Sequence, residues 1–386
     1  MRTLNRHIVS LRNFPSAKKR REYLESELQI DLSHLKSISL EENPSVYCEN
    51  IIGSAQIPMG VAGPLLILNN KKSKSIFIPL ATTEGALVAS VSRGCKALSQ
   101  SGGVIVNAEL RGQTRGPVFY TESVENGLIL KKWIEKNFTL LSKTANTTSN
   151  HIEFIGTRVK IIGANTFVKF IFNTSDAMGM NMVTIAVEKM AELIEEKKGY
   201  KCIAVAGNFD IDKKPSFMNI IDGRGFEVWA ECIIPKKILK ETLKTTASSL
   251  YETWLAKCMV GSYASGALGY NAHFANIIAA LFIATGQDPA HVVEGSTGIV
   301  ICEERGDNLY ISINMPSLLV GTVGGGTILP TQKSALSIMG IDKKVSSIEF
   351  AKLIGGVVLA GELSLLSALA SGALGKSHKE LGRKKV

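Results

Sequence analysis

The stretch HIEFIGTRVKII at residues 151–162, followed by TFVKFIF at 166–172, decides the reading of the fold. Both alternate as strands do, the second through Phe167, Val168, Phe170 and Phe172. Upstream, 128–141 carries apolar residues at helical spacing (Ile129, Trp133, Ile134, Leu140), and 116–122 reads as extended. Downstream, 178–198 is helical and 201–206 is a short apolar strand. The order strand, helix, strand, strand, helix, strand is that of a ferredoxin-like (βαββαβ) module. It predicts a small domain over 116–206.

Outside that module, residues 14–45 mix the basic run Lys18, Lys19, Arg20 and Arg21 with helically spaced Leu24, Leu28, Ile30, Leu32 and Leu35. This predicts a small helical N-terminal region over 1–45, with the basic run on a solvated face and the region packed against a neighbouring subunit. Pro58, Gly60, Gly63 and Pro64 predict an ordered loop or strand connection over 51–67. A helix is expected from 82 to 100, on Leu87, Val91, Cys95 and Leu98, stopped by Gly102-Gly103, which places Glu84 in its first turn. After 207, helices are expected over 235–259 and 271–285, strands over 298–302 and 309–315, and a glycine-rich turn over 321–327. The fold class is α+β: a large mixed helix and sheet domain (46–115 and 207–386) into which the ferredoxin-like domain is inserted.

With 45% hydrophobic and 20% charged residues over 386 positions, the chain has the composition of a globular protein. Its six cysteines are scattered, without Cys-x-x-Cys or a histidine at ligand spacing, so no metal site or disulfide framework is readable and reduced thiols in the cytoplasm are expected. Residues 1–13 lack the apolar core of a secretory signal. Residues 353–375 are long and apolar enough to span a bilayer, but Glu362 in their midst and the abundance of small residues predict a buried helix pair or helix and no membrane partner. The net charge of +10 suits anionic ligands; with 6% aromatics and no recognition motif, nucleic acid is not an expected partner.

Four short segments carry chemistry. Asp212-Lys213-Lys214-Pro215 sets two ammonium groups beside a carboxylate, which suits polarising and holding an anionic carbonyl substrate. Thr82-Thr83-Glu84-Gly85, Gly286-Gln287-Asp288 and Lys376-Ser377-His378 supply the other members of a proton-handling set. Asp-Lys-Lys alone is an ordinary solvated turn, and a histidine near a chain end is usually just exposed; the joint occurrence makes the case. Asp176-Ala177-Met178-Gly179-Met180-Asn181-Met182 opens a helix with Asp176 as N-cap. Its free amides suit phosphate, although a capped core helix with methionine filler reads equally well. No Gly-x-Gly-x-x-Gly occurs, so any dinucleotide site is non-Rossmann. Gly324, Gly325 and Gly326 lie in an amide-rich turn able to cradle an anion, without the ending of a P-loop. His273 reads as a core histidine.

At these residues the chain resembles the 3-hydroxy-3-methylglutaryl-coenzyme A reductases, collinearly from Glu49 to His378. The matching segments are Glu49-Asn50-Ile51-Ile52-Gly53, Pro58-Met59-Gly60-Val61-Ala62-Gly63-Pro64-Leu65, Thr114-Arg115-Gly116-Pro117 and the motifs above. The set is similar to the class shared by eukaryotic and archaeal enzymes, generally NADPH-dependent. The resemblance implies a metal-free, two-hydride reduction of hydroxymethylglutaryl-coenzyme A to mevalonate and coenzyme A. Lys213 would stabilise the carbonyl oxygen, Glu84 donate the proton, Asp288 sit between them and keep Glu84 protonated, and His378 protonate the departing thiolate. Arg115, Asp212, Lys214, Lys257 and Asn276 would hold the hydroxyglutaryl end. Asp176, Met178, Gly179, Met180 and Asn181 would bind the dinucleotide, and Thr157 with Arg158 would meet the extra phosphate of NADPH. The family site forms between subunits, which implies a homodimer or homotetramer. Two departures stand out: Ala206 where the family usually has serine, and the additional Asp210. Alternatives are an NADH-preferring or oxidative enzyme, or a catalytically silent interaction protein.

Overall fold

Residues 11–14, 16–33, 55–69, 72–342 and 345–372 are described by the computed structural model of the chain. Helix α1 (Ala17–Leu28) starts where the Ser16 hydroxyl accepts from the Lys19 N–H. Lys18, Lys19 and Arg20 face solvent, as their charge requires. Leu24 and Leu32 pack with Phe77 and Ile338 of the same chain, so the described part of this region docks on its own body.

The segment expected as a loop or connection is a strand, β1 (Met59–Asn69), paired antiparallel with β2 (Lys72–Ala81). A register shift between Ala62 and Leu65 takes up Gly63 and Pro64, which is how a strand accommodates a proline without a ladder donor. Helix α2 (Leu87–Gln100) buries Leu87, Val91, Cys95 and Leu98. Strand β3 (Val104–Arg115) is the joint of the molecule. Its first part lies in a large sheet ordered β3-β8-β10-β9 with β8 (Arg224–Ile234), β9 (Ile299–Arg305) and β10 (Asn308–Leu318). Its last residues pair with a second group of strands, Arg115 opposite Phe170. Gly112, at φ +87°, makes the turn between the two.

That second group comprises β4 (Val118–Tyr120), β5 (Glu153–Ile162), β6 (Asn165–Asn173) and β7 (Lys201–Ala204), ordered β7-β4-β6-β5 and all antiparallel. Helices α3 (Val124–Lys136), α4 (Phe138–Asn146) and α5 (Met180–Lys198) accompany it, and Phe119, Leu130, Phe154, Phe170, Val187 and Ile194 share its separate core. The single helix expected over 128–141 is broken at Asn137, whose side-chain amide donates to the Trp133 carbonyl at 2.8 Å and ends α3.

The rest of the chain builds α6 (Phe217–Ile221), α7 (Lys236–Ile238), α8 (Ala247–Trp254), α9 (Ser262–Ser265), α10 (Phe274–Thr285), α11 (Val292–Gly295), α12 (Pro330–Ile338) and α13 (Ser347–Ala370). The helix expected over 235–259 is not continuous. A π segment, Leu239–Leu243, ends at left-handed Lys244, Thr246 caps α8, and a second π segment follows at Leu255–Gly261. Helix α13 is long and apolar enough to cross a membrane, with mean hydropathy 1.9, but 83% of that window is buried inside the fold. It packs on β3, β8 and β10 and crosses α2 at Gly94, where a Cβ would stand 1.8 Å from the Ala360 carbonyl oxygen.

Candidate active site

The loop entering the Asp-Lys-Lys segment is strained. Asn208, Ile211 and Lys213 all have left-handed backbones, at φ +62°, +54° and +56°, a conformation that disfavours every residue with a side chain. Buried donors hold it there: the Gly207 N–H on the Gly116 carbonyl at 2.6 Å and the Asn219 amide on the Ile211 carbonyl at 3.2 Å. The Lys213 N–H donates to Glu294 Oε1 at 2.6 Å, and its Nζ lies 2.7 Å from Asp288 Oδ2. Asp288 Oδ1 accepts from the Ala290 N–H at 3.0 Å. Burial alone would raise the Asp288 carboxyl; the Lys213 ammonium, the Ala290 N–H and nearby His291 outweigh it and hold the group below its ordinary value. The result is a half-exposed ammonium ion fixed on a charged carboxylate, an arrangement that stabilises negative charge on a carbonyl oxygen.

Behind it lies a residue the sequence did not single out. Arg224 is fully buried, and its guanidinium reaches Thr114 Oγ1 at 2.7 Å, Glu294 Oε1 at 2.8 Å, Asp212 Oδ1 at 3.0 Å and Met180 Sδ at 3.2 Å. It supplies the positive charge that two acids in this interior need. Asp212, His291 and Glu294 place potential ligand atoms within 4.8 Å of one another, and Arg224 sits on two of these three. No local pattern marks Arg224 or Glu294, because the partners that define them are far along the chain; His291 has its two acids three residues to either side.

Arg115 lies at the end of β3, with Nη1 3.2 Å from Asp210 Oδ2 and 3.9 Å from Asp212 Oδ2, and with Nη2 donating to Thr184 Oγ1 at 2.8 Å. The additional Asp210 is therefore the counter-ion of Arg115. Burial pushes its carboxyl up, against the pull of Arg115 and Arg224. Lys214 is exposed and donates from Nζ to the Asp212 carbonyl at 3.2 Å.

Glu84 stands elsewhere. Helix α2 begins at Leu87, so Glu84 precedes it and is not in its first turn; the Thr82 hydroxyl accepts from the Glu84 N–H at 3.0 Å and stabilises a turn there instead. Asn276, near the start of α10, donates to Glu84 Oε2 at 2.5 Å. Lys257 is exposed, and its charge acts on Glu362, the buried acid of α13. Glu362 accepts from the N–H groups of Ala272 and His273, each at 2.7 Å. Burial pushes its carboxyl up, opposed by His273, those two amides and Lys257. His273 is not a satisfied core histidine: it is the N-cap of α10, and its buried Nε2 has no hydrogen-bond partner. Asp288 follows the other end of α10, and among the described residues no hydrogen bond joins it or Lys213 to Glu84. The expected Lys213, Asp288, Glu84 sequence of contacts is thus two pairs within one chain: Lys213 with Asp288, and Glu84 with Asn276. His378 lies outside the described residues.

The segments expected to hold a dinucleotide converge. Asp176 does not cap α5, whose N-cap is Gly179; it accepts from the Ser347 N–H at 2.9 Å and so caps α13. Its carbonyl accepts from Thr322 N–H at 2.8 Å, which lays the glycine-rich turn along 176–178. A Cβ on Gly321 would stand 2.5 Å from Met178 N, and one on Gly326 would stand 2.6 Å from Gly286 O. Gln287 Oε1 accepts from the Gly321 N–H at 2.8 Å, so one turn touches both the Met178 segment and the Asp288 loop. Gly324 and Gly325 face open space with positive φ. Gln113 donates to the Met178 carbonyl at 3.0 Å, Met180 is buried, and Asn181 is exposed. Thr157 Oγ1 is buried without a partner. Arg158 is not free to meet a phosphate by charge alone: Asp222 pairs with it at 2.8 Å and with Lys169 at 2.8 Å. Arg111, Arg158 and Lys169 line one cleft there.

A family model described as hydroxymethylglutaryl-coenzyme A reductase matches residues 16–383. The 3-hydroxy-3-methylglutaryl-coenzyme A reductase of Methanocaldococcus jannaschii is 46% identical over 372 residues, covering 94% of this chain and 92% of that protein. The Fusarium fujikuroi reductase is 44% identical over 348 residues, which are 87% of this chain and 35% of that protein. Among solved structures, the class II reductase of Streptococcus pneumoniae, bound to NADPH in open conformations, is similar with a TM-score of 0.75 at 20% identity, over 94% of this chain and 99% of that one. This last likeness extends the mixed, largely antiparallel α/β fold to both chains. From the match over nearly the whole sequence it follows that the chain is an oxidoreductase belonging to the hydroxymethylglutaryl-coenzyme A reductase family.

Proposed function

We propose that the chain catalyses the NADPH-dependent, four-electron reduction of (S)-hydroxymethylglutaryl-coenzyme A to (R)-mevalonate and coenzyme A. The observation that carries this reading is the Lys213 ammonium held 2.7 Å from Asp288 in a strained loop beside the glycine-rich turn. Lys213 stabilises negative charge on the thioester oxygen, and later on the aldehyde oxygen. Glu84, oriented by Asn276, donates the proton to that oxygen. His378 protonates the departing thiolate. Arg115, Asp212, Lys214, Lys257 and Asn276 hold the hydroxyglutaryl end, with Asp210 competing for Arg115.

NADPH fits the cradle of Met178, Gly179, Met180, Asn181, Gly324, Gly325 and Gly326, in which the open Gly324 and Gly325 admit a phosphate; Thr157, on β5, carries an unpartnered hydroxyl. When bound, a reduced nicotinamide supplies one hydride in each of two reductions. The strand order β7-β4-β6-β5 supports reading 116–206 as an inserted ferredoxin-like dinucleotide domain, with 46–115 and 207–386 as the substrate domain and 1–45 as a helical appendage. We place the active sites of a homodimer or homotetramer between subunits, because Glu84 and the Lys213–Asp288 pair stand at opposite ends of α10.

A second reading, preference for NADH, is favoured by the ion pair between Arg158 and Asp222. Absorbance of the reduced nicotinamide, with the acyl-coenzyme A and either cofactor, separates the two. Two cofactors oxidised per thiol released, faster with NADPH, is the expected result; faster oxidation of NADH selects the second reading. Lys213→Ala should abolish turnover while leaving the fold intact, and turnover at the parent rate would end the assignment.

A further inference from the structure

Lys213 is gripped from two sides by two different acids, its backbone by Glu294 at 2.6 Å and its ammonium by Asp288 at 2.7 Å. Between those acids stands His291, fully buried, with Nε2 3.7 Å from Asp288 Oδ2 and Nδ1 3.4 Å from each Glu294 oxygen. Asp288, His291 and Glu294 are spaced three apart on a segment that starts as a 3-10 turn, Pro289–His291, so they share one face. The four residues therefore close a ring that leaves Lys213 by its side chain and returns by its backbone.

Two features set this ring apart from ordinary packing. Lys213 has a left-handed backbone, φ +56°, and the Glu294 carboxylate is the group that receives its N–H. His291 Nε2 has no hydrogen-bond partner although it is buried, and Asp288 is the acid it faces. The charged groups around the ring are Asp288 and Glu294 on its own segment, Lys213 and Asp212 on the loop, and Arg224 on β8.

We infer that His291 and Glu294 are positioning residues for Lys213: Glu294 fixes the backbone from which the lysine projects, and His291 ties that anchor to Asp288. The inference rests on Lys213 being the catalytic cation. Its consequence is kinetic, since a cation displaced by a fraction of an ångström still binds substrate but no longer meets the developing oxyanion.

The test compares His291→Leu, His291→Gln and Glu294→Gln with the parent, using hydroxymethylglutaryl-coenzyme A and NADPH, with Lys213→Ala assayed alongside. His291→Leu should lower kcat by about 10- to 100-fold and leave both KM values within about threefold, the size expected of lost orientation. His291→Gln, which keeps polar atoms for both acids, should recover most of that loss. Glu294→Gln keeps an oxygen for the Lys213 N–H but loses the charge that also meets Arg224, and should lower kcat by about tenfold. A kcat within about twofold of the parent in folded His291→Leu or in Glu294→Gln overturns the inference, as does His291→Gln no better than His291→Leu. If His291→Leu does not fold, Glu294→Gln decides by the same criterion. Turnover retained by Lys213→Ala sinks the catalytic reading itself; turnover lost there but kept in the other variants sinks only the positioning role.

Discussion

Asp288 is the acid whose protonation the structure most directly ties to a partner. Its carboxyl is held below the ordinary 3.8 chiefly against burial, by the Lys213 ammonium and the Ala290 N–H. A depressed folded value means that the unfolded chain takes up the proton first as pH falls. The stabilisation is therefore present above the ordinary value and lost as pH drops through the lowered one. Denaturant unfolding at about pH 6 and about pH 3 should show a smaller acid loss for Asp288→Asn than for the parent; equal losses would place the linkage on other groups. Lys213, Lys214 and Asp288 could be proposed from the sequence because their segments occur together with other proton-handling residues, none being distinctive alone. Arg224 and Glu294 were not, since the bonds that define them span 70 and 110 positions and leave no local trace. Asp176 was half legible: its capping chemistry was evident, but the helix it caps is α13 and not the one it precedes.

Among the elements, α13 shows how an apolar helix can organise polar chemistry. Its burial could be read from 353–375, whereas its start at Ser347 lies outside that run, and the purpose of Glu362 could not be read because its two partners sit in the turn before α10. That carboxylate fixes the chain entering α10, and α10 presents Asn276 to Glu84. Glu362→Ala leaves two buried N–H donors unpaired and should destabilise the fold by about 2–6 kcal/mol, at about 1–3 kcal/mol for each, with turnover falling as well. Glu362→Gln keeps an acceptor and should lose less on both counts. A denaturation midpoint unchanged in Glu362→Ala would show that water replaces the carboxylate. Where the pattern misled, as over 235–259, the cause was a helical period that continues through two π segments and a left-handed Lys244, which apolar spacing does not register.

For the whole molecule, the two polar clusters at the ends of α10 pose a question of assembly. The helix rise from Asn276 to Thr285 is roughly 14 Å, so the pairs Glu84–Asn276 and Lys213–Asp288 stand at different ends of one helix. If they meet across a twofold contact, mixing Glu84→Gln subunits with Lys213→Ala subunits creates some sites with both residues intact. Activity should then return to roughly a quarter of the parent for a randomly mixed dimer, read after subunit exchange has been verified by sedimentation. No recovery would put both pairs in a single-chain site. The glycine-rich turn has a different reach. Because its backbone is wedged between Met178 and Gly286, with Gln287 bonded to Gly321, bulk added at Gly321 or Gly326 is transmitted to the loop that carries Asp288. On the proposed dinucleotide reading, exchange of one nicotinamide coenzyme for the other has a natural division of labour: the exposed Arg158 is open to redesign, while Gly321 and Gly326 are a fixed hinge pin between fuel and machinery.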